Sequence, residues 1–180
     1  MTRPWIPPTV RPQRSNNVDI IARALLIGIG ATIVMDLWTV VRKRVFGVAS
    51  LDYRMLGRWL GNLPSGRFVH DNIARATPVR GELVLGWCAH YAIGVTFALV
   101  LLALWGLDWA RHPTLLPALL VGVGTVIAPF LILQPAMGAG IAASKTPRPN
   151  VARLRSVLTH AIYGIGLYLS AVLWSLVMPL

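Results

Sequence analysis

"GWCAHYAIGVTFALVLLALW", residues 86–105, decides the fold, because no Lys, Arg, Asp or Glu interrupts it. A helix rising ~1.5 Å per residue needs about 20 such residues to cross ~30 Å of hydrocarbon. A soluble core would instead show short periodic stripes of apolar residues. Comparable runs lie on either side, so membrane spans are expected at about 20–41, 83–107, 115–135 and 157–177. The short alternating strands of a membrane barrel are absent from the sequence. The expected fold class is all-α, a membrane-embedded four-helix bundle forming a single domain from residue 20 to residue 180.

The composition agrees. Of the 180 residues, 56% are hydrophobic and 13% charged, whereas soluble domains carry about a quarter charged residues. The net charge of +11 invites a nucleic-acid reading, but no nucleic-acid motif interleaves with the basic residues. Basic residues flanking apolar spans set orientation and meet anionic headgroups, so the expected partner is the lipid bilayer and not nucleic acid. Lys and Arg gather in segments 42–81 and 138–156. The positive-inside rule puts both segments in the cytoplasm of a bacterial inner-membrane, multi-pass protein, with both termini outside. The Arg-bearing tail opposes that orientation. Trp105, Trp109 and Trp174 then fall toward the outer interface, and Trp38 and Trp87 toward the inner one. The single cysteine, Cys88, is expected as a small packing residue.

Residues 1–19, "MTRPWIPPTVRPQRSNNVD", are Pro- and Arg-rich and lack the apolar core of a cleavable signal. A flexible tail is expected there. In the 42–81 loop, "LDYRMLGRWLGNL" places Leu51, Met55, Trp59 and Leu60 along one helical side, with Arg54 and Arg58 beside it. That pattern predicts a short amphipathic helix on the cytoplasmic interface, ended by Gly61, Pro64, Ser65 and Gly66. The stretch "QPAMGAGIAASKTPRP", residues 134–149, follows Pro129 and contains Pro135. Gly138 and Gly140 allow close backbone approach there. The segment is read either as a turn gating a cavity or as tight packing through small residues.

Ionisable groups within spans are costly and tend to face the bundle interior or water. Asp36, His90 and His160 are such groups, and Gln134 closes the third span. At ~1.5 Å per residue, Asp36 lies ~9 Å from Arg42, His90 ~12 Å from Glu82 and His160 ~10 Å from Arg153. One polar group per helix at a common depth predicts a layer in the cytoplasmic half, with Tyr91, Gly138, Gly140 and Tyr163 around it. On the first helix, Ala24, Gly28, Thr32 and Asp36 are spaced by four, which gives one small-residue face ending in the carboxylate. Gly94 follows His90, and Gly164 follows His160, at the same spacing. "HYAIGVTFALVLLALW" and "HAIYGIGLYLSAVLW" therefore echo one another, each ending in Trp. His90 is expected to be buried against a polar group, with Asp36 and His160 the leading partners.

Four readings follow. The residues serve as interhelical hydrogen-bond glue, worth about 1 kcal/mol or less each. They form a small-ligand or proton site. His90 and His160 hold haem or a metal ion, the glycines admitting a porphyrin edge. Or the site hydrolyses a substrate, although HExxH and GxSxG are both missing. A structural or accessory subunit of a larger complex is the alternative class, carried by the small-residue face of the first helix if it points outward. A homo-oligomer is a further option. Glu82 is explained by the positive end of its helix, and His70 and Asp71 are read either as reaching the inner mouth of the bundle or, like most loop residues, as merely solvated.

The motifs Met35-Asp36-x-Trp38, Gly57-Arg58-Trp59, His70, Gly81-Glu82, Gly86-Trp87, His90-Tyr91-x-Ile93-Gly94, residues 134–149 and His160 together resemble those of a family of small bacterial inner-membrane proteins known only as a domain of unknown function. The resemblance spans roughly residues 20 to 178 and implies a four-span membrane protein, with no activity attached.

Overall fold

The computed structural model describes residues 17–48 and 51–177; most of the expected tail lies outside them. The described residues are mostly helical, with no strand among them. Helix α1 is Asn17–Phe46, α2 is Tyr53–Asn62, α3 is Glu82–Arg111, α4 is Leu115–Ala136 and α5 is Pro149–Val177. All but α2 are long and apolar enough to cross a membrane. α1 and α5 run past their apolar stretches through Arg42, Lys43 and Arg44 and through Arg153 and Arg155. Lys and Arg are good helix formers, so the helix does not end where the apolar residues do.

Around the bundle the order is α3, α1, α5, α4. Small residues set each crossing, which lets backbones approach where apolar burial alone cannot drive association in lipid. A Cβ on Gly28 of α1 would sit 2.6 Å from Val95 Cα of α3, and one on Gly166 of α5 would sit 2.8 Å from Ala31 O of α1. One on Gly122 of α4 would sit 2.8 Å from His160 O of α5. Ala24, Ile27, Ala31, Ala98, Leu101 and Leu167 fill the centre. The outer surface is also apolar: Leu104, Leu116, Ile127, Leu131, Leu158 and Leu173 are exposed. Soluble proteins rarely leave so much contiguous apolar surface uncovered.

Two features depart from the sequence reading. Cys88 lies exposed on the outside of α3 instead of packing inward. The inward side of α2 is Leu56, Gly57 and Arg58; Met55, Trp59 and Leu60 are half-buried and Leu51 precedes the helix, exposed. A glycine pair turns α2 this way. A Cβ on Gly57 would overlap the Glu82 carbonyl of α3, and one on Gly86 would overlap the Tyr53 carbonyl of α2. The two backbones touch there, so the amphipathic stripe does not decide the rotation. Asp52 caps α2, accepting from Arg54 N at 3.0 Å.

The prolines do interrupt α4. Pro129 has no N–H to donate, and residues Pro129–Leu133 form a π-turn before Gln134–Ala136 resume. Beyond it the chain turns through Gly138 (φ 92) and Gly140 (φ 74), followed by Ala142 (φ 46) and Ala143 (φ 59). Arg153 Nε donates to Ala142 O at 2.8 Å and holds this left-handed pair. The loop 70–73 lies across the same segment: His70 N donates to Ala136 O at 2.9 Å and Ile73 N to Met137 O at 3.2 Å. Gly138 has no room for a side chain, because a Cβ there would overlap Asp71 O.

Candidate functional site

The expected layer resolves into separate clusters. Asp36 and His90 do meet: His90 Nε2 lies 3.0 Å from Asp36 Oδ1. α1 delivers Asp36 because its small-residue face packs on α3, where Thr32 Oγ1 occupies the space beside Gly94. His90 is buried on the facing side of α3. The third member is Tyr53, the first residue of α2. Its Oη donates to Asp36 Oδ1 at 3.0 Å and lies 2.9 Å from His90 Nε2. Tyr91 Oη donates to the other carboxylate oxygen at 3.2 Å. The Tyr53 ring stacks on His90 with centroids 4.2 Å apart, and Trp87 closes against Tyr53 at 4.4 Å.

With Asp36 ionised, proton bookkeeping selects one tautomer of His90. Asp36 Oδ1 faces both Tyr53 Oη and His90 Nε2. A bare carboxylate can accept from both only when Nε2 carries a hydrogen. The arrangement then satisfies both carboxylate oxygens with three donors, Tyr53, His90 and Tyr91. A further proton would go to Nδ1, giving an imidazolium whose charge Asp36 offsets. Burial first, and the Asp36 carboxylate second, push the Tyr53 phenol well above its ordinary range. Tyr53 is therefore a fixed donor.

A buried ion pair locks Tyr53 in place. Arg58, on the next turn of α2, grips Glu82 in a two-pronged contact, Nε to Oε2 and Nη2 to Oε1, each 2.8 Å. Its Nη1 donates to the carbonyls of Ile73, Ala74 and Ala76 at 3.1–3.3 Å. The Glu82 contact is the main reason the guanidinium is held above its usual range. Glu82 is thus more than a helix-dipole partner: it pins α2 to the start of α3.

The other predicted residues lie elsewhere. His160 Nδ1 sits 2.9 Å from Thr125 Oγ1 between α4 and α5, and that hydroxyl also donates to Gly122 O at 2.6 Å. Gln134 Nε2 donates to Ser156 Oγ at 3.3 Å. Tyr163 is buried and donates to Gly94 O at 2.6 Å, which makes it a packing residue between α5 and α3. Gly138 and Gly140 shape the turn after α4. The glycines beside the histidines do not leave room for a porphyrin edge, since Gly94 faces Thr32 and Gly164 faces the Ala118 carbonyl. The face Ala24, Gly28, Thr32 points inward, with Ala24 and Thr32 fully covered. An accessory role therefore cannot rest on it.

Sequence reasoning missed four residues. Tyr53 carried a usable signal, a polar aromatic directly after a capping Asp. Arg58 and Glu82 both stand in the motifs that carry the family resemblance, but their pairing joins two elements and had no local signal. Arg23, four residues after Asp19, is buried toward the other end of α1. An apolar cleft of about 340 Å³ between α3 and α4, lined by Phe97, Val100, Leu104 and Leu120 among others, meets the polar clusters only at Thr125.

The chain as a whole is a helical bundle whose four long helices suit a bilayer. It belongs to a family described as a protein of unknown function (DUF2938), whose family model matches residues 25–174. No curated protein and no solved structure matches it.

Proposed function

We propose that this is a multi-pass protein of the bacterial inner membrane, a single domain from residue 20 with segments 42–81 and 138–156 cytoplasmic and both termini outside, and that the Asp36–Tyr53–His90–Tyr91 cluster binds and exchanges a proton. The orientation rests on the concentration of Lys and Arg in those two segments. The proton site rests on one observation: Asp36 Oδ1, Tyr53 Oη and His90 Nε2 stand in a triangle with sides of 2.9–3.0 Å. Glue needs only one good hydrogen bond per pair of helices. Here a carboxylate, an imidazole and a phenol share one point, and the imidazole is the group whose ordinary range spans neutral pH. The other residues of the predicted layer, Gln134 and His160, are outside this proposed site.

Trp87 supplies the readout, since its ring centroid lies 5.8 Å from that of His90. The emission assigned to Trp87, taken as the difference between wild type and Trp87→Phe in nanodiscs, should change as pH is moved between about 5 and 8. The change should vanish in His90→Gln. A flat Trp87 signal across that range in the folded wild type would reject an exchangeable proton and leave the cluster as hydrogen-bond glue.

A further inference from the structure

A second polar corner lies where α1, α5, the end of α4 and loop 70–73 meet. Among the described residues, five buried polar side-chain atoms have no hydrogen-bond partner, Trp38 Nε1, Arg42 Nε, both ring nitrogens of His70 and Gln134 Oε1, and the contacts of their residues draw them toward this corner. Buried polar groups are nearly always paired, so each orphan asks for an explanation. Clustering sharpens the question. Trp38 and Arg42 are one turn apart on the same face of α1. Arg42 Nη1 reaches Thr159 Oγ1 of α5 at 3.4 Å, and Gln134 Nε2 reaches Ser156 Oγ of α5 at 3.3 Å. Ser156 and Thr159 are themselves three residues apart on α5 and share a face. His70 is tied by its backbone to Ala136, two residues beyond Gln134.

The chemistry of the orphans specifies what would satisfy them. Indole Nε1 and guanidinium Nε only donate. Imidazole offers at least one donor. Arg42 brings a fixed positive charge, and Asp71, the acid beside His70, is exposed. Gln134 Oε1 alone among the side chains here is purely an acceptor. The complementary ligand is rich in acceptors, carries negative charge and has one hydroxyl to give. We propose that this corner binds a phosphate group bearing, or lying next to, a hydroxyl. Arg42, Trp38 and His70 donate to its oxygens, and Gln134 Oε1 accepts from the hydroxyl. Such a group is supplied either by free hydrogen phosphate or by the headgroup of an anionic glycerophospholipid. The site is separate from the Asp36 cluster, which uses another face of α1 and already supplies donors to both oxygens of its carboxylate.

The test uses the full chain in detergent and in nanodiscs. Inorganic phosphate is titrated by calorimetry, and retention of phosphatidylglycerol against phosphatidylcholine is read by native mass spectrometry. One probe should bind saturably, and Arg42→Gln should weaken it by about tenfold or more, the loss expected for a hydrogen bond to a charged group. Trp38→Phe, which removes only the ring N–H, should weaken it by a few fold while leaving the fold intact by circular dichroism. His90→Gln should leave binding unchanged. Saturable phosphate binding identifies the free anion, and selective retention of phosphatidylglycerol identifies the headgroup. The proposal is overturned if neither probe binds saturably, if phosphatidylcholine is retained equally well, or if Arg42→Gln and Trp38→Phe bind as wild type.

Discussion

His90 and His160 open nearly the same phrase of sequence: a histidine, a glycine four residues on, and a tryptophan near the far end. In the bundle their surroundings differ. Both glycines do the same work, clearing space for a neighbouring helix. The histidines do not. His90 faces Asp36 and Tyr53, and His160 faces the Thr125 hydroxyl beside the Gly122 carbonyl. The periodic small residue reports packing, which a helix face encodes locally. The partner of a polar group depends on which helix arrives opposite, and α2 arrives only at His90. What distinguishes the two histidines is therefore the short helix and the clamp that seats it.

The sharpest way to break that distinction is to unseat α2. Gly86→Val would drive a side chain into the Tyr53 carbonyl, at the upper end of or above the ~1–3 kcal/mol range of overpacking. The expected result is a large fall in thermal stability together with loss of the pH response of Trp87, leaving the α4–α5 crossing at His160 intact. Retention of the pH response in Gly86→Val would show that the cluster does not need α2.

Arg58→Gln should come next. It abandons Glu82 and the carbonyls of Ile73, Ala74 and Ala76 together. Leaving even one such carbonyl unpaired costs about 1–3 kcal/mol. Protease sensitivity within loop 63–81 should rise before the long helices melt, which limited proteolysis followed by mass analysis would detect. Unchanged cleavage would mean that the glycine contact alone holds α2.

His90→Ala is expected to cost about 1–3 kcal/mol because it removes one donor from a half-buried carboxylate. His160→Ala should cost about 1 kcal/mol or less, as for an ordinary interhelical hydrogen bond. Denaturation of the two variants in the same detergent compares them directly. Equal costs would erase the contrast and favour glue at both positions.

The four long helices were legible because length and apolarity are local properties, and so were the shared face of Ala24, Gly28, Thr32 and Asp36 and the meeting of Asp36 with His90. Other features were not. Nothing local says that Gly57 meets Gly86, so the apolar stripe alone misplaces the inward side of α2, and the backbone contact turns it another way. Equal depth also misled. His160 and Gln134 share a depth with His90, yet depth leaves rotation about the helix axis undetermined, and their partners are Thr125 and Ser156. His70 reads as a loop residue, either solvated or at the inner mouth of the bundle, and only the pairing of its segment with Ala136 and Met137 decides between them.

The smallest expected effect is the most discriminating. Tyr91→Phe removes the one donor to Asp36 Oδ2, a 3.2 Å contact at the rim of the cluster. The triangle on Oδ1 stays whole. A hydrogen bond of this kind averages about 0.6 kcal/mol within membranes, so stability should barely move. If the cluster exchanges a proton, removing a donor from the carboxylate changes the field in which that proton is held. The midpoint of the Trp87 response should then move while its amplitude is kept. Glue predicts the small loss of stability with no such shift. Tyr91→Phe thus separates the two readings with the fold undisturbed, which the larger lesions cannot do.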